Sequence, residues 1–167
     1  MAETTSQQRQ RTFTWSDPSI GAQVAWTMSG LDYLKAMERG DLPFPPMLAL
    51  MNIHLEGAEE GSAVFSVEPA EYHYNPLGSV HGGLAATLCD SAMGCAVHST
   101  LPAGSGYTTL EIKVNLVRPL TIATGPVTCK GKIIHVGKRT ATAEARVTDR
   151  DGKLYAHATT TCLILRS

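Results

Sequence analysis

Asn75-Pro-Leu-Gly-Ser-Val-His81-Gly-Gly-Leu-Ala-Ala-Thr-Leu-Cys-Asp90-Ser-Ala-Met-Gly94 reads as a turn, then a histidine and two glycines, then a helix. Between Gly82 and Val97 the only charged residue is Asp90. Leu84, Ala85, Leu88, Cys89, Ala92, Met93, Ala96 and Val97 fill more than half of the helical circumference, the mark of a central, buried helix. Thr87, Ser91, Gly94 and His98 share the remaining narrow strip, with Asp90 at its edge. Small residues along such a strip let another backbone or a ligand come close. A lone carboxylate in this setting is costly unless it is hydrogen-bonded or functional.

On either side of this helix the pattern turns to strands. Leu48 to Leu55 and Ala63 to Val67, around an acidic turn at Gly57 to Gly61, predict a hairpin. Glu68 to Gly78 is a loop broken by Pro69, Asn75, Pro76 and Gly78. Thr108 to Val117 alternates, with Leu110, Ile112, Val114 and Leu116 on one face and Thr109, Glu111, Lys113 and Asn115 on the other. Gly125 to Val136, Arg139 to Asp149 and Lys153 to Leu165 are three further long strands, separated by turns at Gly137-Lys138 and Asp149 to Gly152. Six antiparallel strands, the last four as a meander, with one apolar helix between the second and third, predict an α+β sheet curled around a helix. Upstream, Leu31, Leu34 and Met37 recur at helical spacing between Ser29 and Gly40, while residues 13–28 show no clean period. Asp41-Leu-Pro-Phe-Pro-Pro46 reads as an extended linker. Residues 1–46 are therefore expected to form an arm with one helix, packed on a domain of residues 47–167.

Composition narrows the function. A 43% apolar fraction with 17% charge fits a globular chain with some surface hidden in an oligomer. The net charge of −1 makes no electrostatic case for nucleic acid or an anionic membrane. Cys89, Cys95, Cys129 and Cys162 form no C-x-x-C pair and no zinc spacing, so buried thiols in a reducing cytosol are expected. Residues 1–12 are polar and lack a signal-peptide core, and no run approaches the roughly 20 apolar residues of a membrane span. The chain is thus expected to be soluble, with a frayed N-terminus. No phosphate-binding glycine loop or Gly-x-Ser-x-Gly elbow is present, so no cofactor or metal is expected.

His81-Gly82-Gly83 sits where the buried helix begins. Its first amides lack internal partners, lie at the positive end of the helix and carry no side chain in the way: a ready oxyanion hole, or simply a tight loop-to-helix junction. Asp90 is nine residues beyond His81, about 13 Å along the axis at a ~1.5 Å rise. One chain cannot close that gap, so joint action requires two chains with roughly antiparallel helices; the alternative is a structural Asp bonded to a hydroxyl. Asn75 could position a water or carbonyl, or merely shape its turn. Thr109 is a strand threonine or a hydroxyl supporting the acid. His98 and His135 have no partner at metal or triad spacing and read as surface or packing residues.

Asn75-x-x-Gly78-x-x-His81-Gly82-Gly83, with Asp90 on the same helix and four long strands behind it, resembles the hotdog-fold thioesterases of the PaaI-like family, over residues 29–165. The resemblance implies hydrolysis of acyl-CoA thioesters by a homodimer, usually a dimer of dimers. It implies that Gly82 supplies the oxyanion-hole amide and Asp90 the nucleophile or general base. Asn75 and His81 fall around the attacking water and the thioester carbonyl, and Thr109 beside the acid. Gly83 belongs to the same substrate-facing junction. Arg118 and the Val136-Gly137-Lys138-Arg139 turn are the basic groups on strand ends that could meet CoA phosphates, or are solvated turn charges. A hotdog hydratase carries Gly-Asp-x-Asn-Pro-x-His; here Tyr72-His73 replace Gly-Asp and the histidine falls six residues after Asn75, which argues against hydration. A non-catalytic acyl-CoA-binding protein of the same fold is the remaining alternative.

Overall fold

The computed structural model describes residues 8–167, so the expected fraying of the first residues lies largely outside it. Three helices lead: α1 (Pro18–Ala25), α2 (Gly30–Glu38) and α3 (Pro46–Met51). β1 (Ile53–Glu59) and β2 (Ser62–Val67) form a hairpin, α4 (Gly82–His98) follows, and β3 (Ser105–Leu116), β4 (Val127–Val136), β5 (Thr140–Asp149) and β6 (Leu154–Arg166) complete one antiparallel sheet. Strand order is β1-β2-β4-β5-β6-β3.

α4 touches all six strands. A flat sheet of six strands is roughly 24 Å wide at ~4.8 Å spacing, over twice a helix diameter, so the sheet must curl around α4. The sequence makes this possible with small inward residues. Ala141, Ala143 and Ala145 on β5 and Ala156 and Ala158 on β6 are buried facing the core. At Gly131 on β4 a Cβ would stand 2.2 Å from the Ala92 carbonyl oxygen of α4, so only glycine lets the two backbones meet. Leu84, Leu88, Met93 and Val97 fill the spaces that remain.

Four local expectations are corrected. The arm holds a second helix before Ser29: Asp17 caps α1 by accepting from the Ser19 amide, 2.9 Å, and Pro18 opens it. Residues 46–51 are helix and not strand, because Pro46 occupies the first helical position, where a missing N–H costs nothing; Asn52, in the left-handed region (φ 55°), then ends α3. The last four strands are not a simple meander. β4, β5 and β6 are consecutive, but β3 pairs with β6 at the far edge while β4 joins β2. Alternation along each strand shows which face is buried and is silent on which strands are neighbours. Finally, the apolar face read along β3 is buried only in part, through Val114. A bulge between Thr109 and Glu111 shifts the register, and Leu110 (58%) and Leu116 (56%) lie exposed along an unpaired edge.

Candidate active site

The loop before α4 is built to aim His81. The Asn75 side chain closes its own turn, Oδ1 accepting from the Leu77 and Ser79 amides at 2.9 and 3.3 Å and Nδ2 donating to Ser79 Oγ at 3.1 Å. The His81 amide donates to the His73 carbonyl, 2.8 Å. His73 is itself buried; its Nδ1 accepts from the Ala70 amide, so its Nε2 donates to the Met51 carbonyl, 2.9 Å. Burial holds the His73 imidazole below the usual histidine range, and Arg11 pushes the same way.

At the head of α4 the two glycine amides have different fates. His81 Nδ1 accepts from the Gly83 amide, 2.9 Å, which places the ring proton on Nε2. The Gly82 amide makes no hydrogen bond among the described residues. Gly82 lines a cleft of about 280 Å³ together with Asn75, His81, Leu116, Arg118 and Tyr155. One free donor at a helix N-terminus, with histidine beside it, can hold a developing oxyanion.

Asp90 opens into a different cavity, of about 340 Å³, between α4, the arm and β2. Met37 and Pro45 come from the arm, Met47 and Leu48 from α3 and Phe65 from β2, and Cys95 and Tyr107 close the far side. Thr109 Oγ1 donates to Asp90 Oδ1, 2.9 Å. Oδ2 has no hydrogen-bond partner among the described residues, and the bulge after Thr109 is what turns its hydroxyl toward α4. Cys95 is no nucleophile: burial, reinforced by the Asp90 charge, pushes its thiol up to about 12.

The predicted residues thus fall into two groups in one chain. Asn75, His81, Gly82 and Arg118 share the cleft, with Gly83 beside it, while Asp90 and Thr109 share the second cavity. Val136, Gly137, Lys138 and Arg139 join neither. Their turn is at the Thr140 end of β5, whereas the Arg118 amide donates to the Tyr155 carbonyl, and Tyr155 Oη donates to Asp149 at the other end. Nine residues of strand, roughly 30 Å, separate the two ends. The Arg118 guanidinium also donates to the Leu154 carbonyl, which fixes it at the cleft. Sequence reading missed the cavity wall made by Met37, Met47 and Tyr107. The helical spacing of Met37 carried only a packing signal, and Tyr107 precedes the stretch read as strand.

A six-stranded sheet wrapped on a helix that carries an uncapped amide and a hydrogen-bonded carboxylate defines a hotdog hydrolase. The thioesterase superfamily profile matches residues 77–156. A 1,4-dihydroxy-2-naphthoyl-CoA hydrolase of Listeria monocytogenes is 30% identical over 62% of this chain and 83% of its own length. A phenylacetic acid degradation-related protein of Ralstonia eutropha is 26% identical over 78% of this chain and 98% of its own, with a TM-score of 0.71. The Escherichia coli PaaI protein superposes with a TM-score of 0.70 over 83% and 96%, at 20% identity. The chain belongs to the thioesterase superfamily and is a thioester hydrolase. No helix among the described residues is long and apolar enough to cross a membrane.

Proposed function

We propose that this chain hydrolyses acyl-CoA thioesters at a site completed by a second copy of itself. One observation carries the reading. The free Gly82 amide and the Asp90 carboxylate open into separate cavities on one helix, each a half-site. A two-fold pairing with antiparallel α4 helices brings Gly82 of one copy to Asp90 of the other. The unpaired β3 edge, with Leu110, Ile112 and Leu116 exposed, offers the surface for it. The same pairing moves the 136–139 turn of one copy toward Arg118 of the other, where both can meet CoA phosphates. Residues 47–167 then form the hydrolase domain and residues 1–46 the arm, whose Met37 and Pro45 join Met47 and Leu48 of α3 in roofing the acyl cavity. A pair of such dimers is the expected assembly. Four free thiols suit a reducing cytoplasm.

In this mechanism the thioester oxygen docks on the Gly82 N–H, with His81 Nε2–H alongside. Asp90 Oδ2 takes a proton from water as the water oxygen bonds the carbonyl carbon. The tetrahedral oxyanion collapses, the C–S bond breaks, and the proton passes to the CoA sulfur, giving free acid and CoA. In the nucleophilic variant Oδ2 attacks directly, CoA leaves, and water cleaves the resulting anhydride. Asn75 is a positioning residue that shapes the loop presenting His81.

Mixing two inactive proteins tests the shared site. Gly82→Pro and Asp90→Asn chains, exchanged as equal parts, form about half heterodimers with one intact site of two, or about a quarter of wild-type acyl-CoA hydrolysis. A mixture no more active than its components would place the whole site in one chain and refute the reading.

A further inference from the structure

Beyond the Asp90 cavity lies an adjacent chamber of about 300 Å³. The two share Met37, Pro45, Cys95 and Tyr107 as common wall. The chamber, partly open to solvent, is walled by α1 and α2 and the turn between them through Ala22, Ala25, Trp26 and Tyr33, and by His98 at the end of α4. Along α4 the floor of both spaces is the strip of small and polar residues: Thr87, Asp90 and Ser91, then Cys95, then His98. Gly94 completes it, since the Tyr107 hydroxyl and ring sit where its Cβ would be.

His98 is the anomaly on that strip. It is buried, 7% exposed, and its Nδ1 is shielded from solvent without a hydrogen-bond partner among the described residues. Its other contacts are aromatic: the Tyr33 ring meets it edge-on at 5.5 Å and the Tyr107 ring lies tilted at 5.7 Å. A buried polar group without a partner destabilises a fold and calls for an explanation. Burial holds the imidazole below the usual histidine range, so the neutral ring carries one N–H. With the proton on Nε2, only a lone pair at Nδ1 goes unsatisfied, and the ring offers a donor to whatever fills the chamber.

We propose that His98 is a specificity-determining residue that reads a hydrogen-bonding group at the distal end of an extended acyl chain. The proposal rests on the acyl-CoA hydrolase reading and names its substrate class. Asp90 and His98 are eight residues apart, about 12 Å along the helix axis. An acyl group whose carbonyl is at Asp90 must span most of that distance to reach His98. Short acyl groups end in the first cavity. Extended ones pass Met37, whose unbranched side chain can yield, and end against the imidazole. A hydroxyl or carbonyl there satisfies a donor that an unsubstituted chain leaves unpaired, which is a strong basis for discrimination.

Binding and turnover of decanoyl-CoA and its terminal hydroxyl derivative test this, with acetyl-CoA as the short reference. Calorimetry uses the Asp90→Asn protein, alone and combined with His98→Phe or Ala22→Trp; hydrolysis uses the wild type and the two single variants. The hydroxyl derivative is expected to bind about tenfold more tightly than decanoyl-CoA, and His98→Phe to bring that ratio close to one. Ala22→Trp, an exposed position on the chamber wall, should weaken both long ligands and leave acetyl-CoA unchanged, even if His98→Phe fails to fold. Equal affinities in the His98-containing protein, or a ratio that survives His98→Phe, would overturn the proposal, as would long ligands indifferent to Ala22→Trp. Absence of hydrolysis by the wild type with the binding ratio intact would sink the hydrolase reading and leave His98 in its role.

Discussion

Gly82→Pro removes one hydrogen atom from the chemistry and little else. Gly82 is the first residue of α4, where proline is welcome because the N–H has no helical partner. His81 before it has φ −61° and ψ 132°, the extended conformation that a following proline demands. The cost is steric. A Cβ at position 82 would stand 2.5 Å from Leu116 Cδ1, the far end of a flexible side chain that must shift to admit it. Gly82→Ala introduces the same contact and keeps the N–H, so the alanine protein is the reference. Loss of one oxyanion donor is worth about 3–4 kcal/mol, or roughly 10²–10³ in kcat. Steady-state hydrolysis of a long-chain acyl-CoA should show that deficit between the proline and alanine proteins, mostly in kcat. Their melting temperatures should agree within about 4 °C, the shift from roughly 1 kcal/mol in a chain of this size. If both fold and their kcat values agree within about threefold, the Gly82 amide does not hold the oxyanion. A deficit confined to KM would reassign it to ground-state binding.

Three further outcomes follow from the structure. Asp90→Asn should lower kcat by about 10²–10⁴, and Thr109→Val by about 10–100-fold, the worth of a hydrogen bond to a charged group; in the double variant the threonine change should add little, and multiplicative losses would show that Thr109 does not act through Asp90. Gly94→Ala sets a Cβ 2.4 Å from Tyr107 Oη and should cost about 1–3 kcal/mol in urea melts, whereas Gly131→Ala, pressed on the α4 backbone, should yield no folded protein; equal tolerance would contradict the close approach of β4 to α4. His73 and His98 both have depressed affinity for protons through burial, so their stabilising contribution is full above roughly pH 6.5 and is lost as pH falls below it, where only the unfolded chain takes up the proton. The melting temperature should therefore fall between pH 7 and pH 5, less steeply in His98→Phe, and a steeper fall in that variant would refute the assignment.

The sequence made the central helix legible because a single carboxylate stood out against fifteen apolar or small neighbours between Gly82 and Val97, and the strands because their alternation is long. Where reading failed, a local signal had two meanings. Pro45-Pro46 reads as extended chain, yet Pro46 opens a helix. Leu110, Ile112 and Leu116 read as a core face, yet β3 is an edge whose apolar side chains lie open. Such residues look alike whether they wait for their own core or for another copy. His98 reads in the sequence as a surface or packing residue because a missing hydrogen-bond partner is a property of space and leaves no trace in spacing.

The roof over the Asp90 cavity comes from α2, α3 and the segment between them, through Met37, Pro45, Met47 and Leu48. All four precede the stretch that matches the superfamily profile, which begins at residue 77. The residues assigned to bond cleavage and those that roof the first cavity therefore lie on consecutive lengths of chain. On the proposed mechanism, a change in the first fifty or so residues reshapes this roof without replacing Gly82, Asp90 or Thr109, so one hydrolytic helix can be handed down unchanged beneath a succession of different roofs.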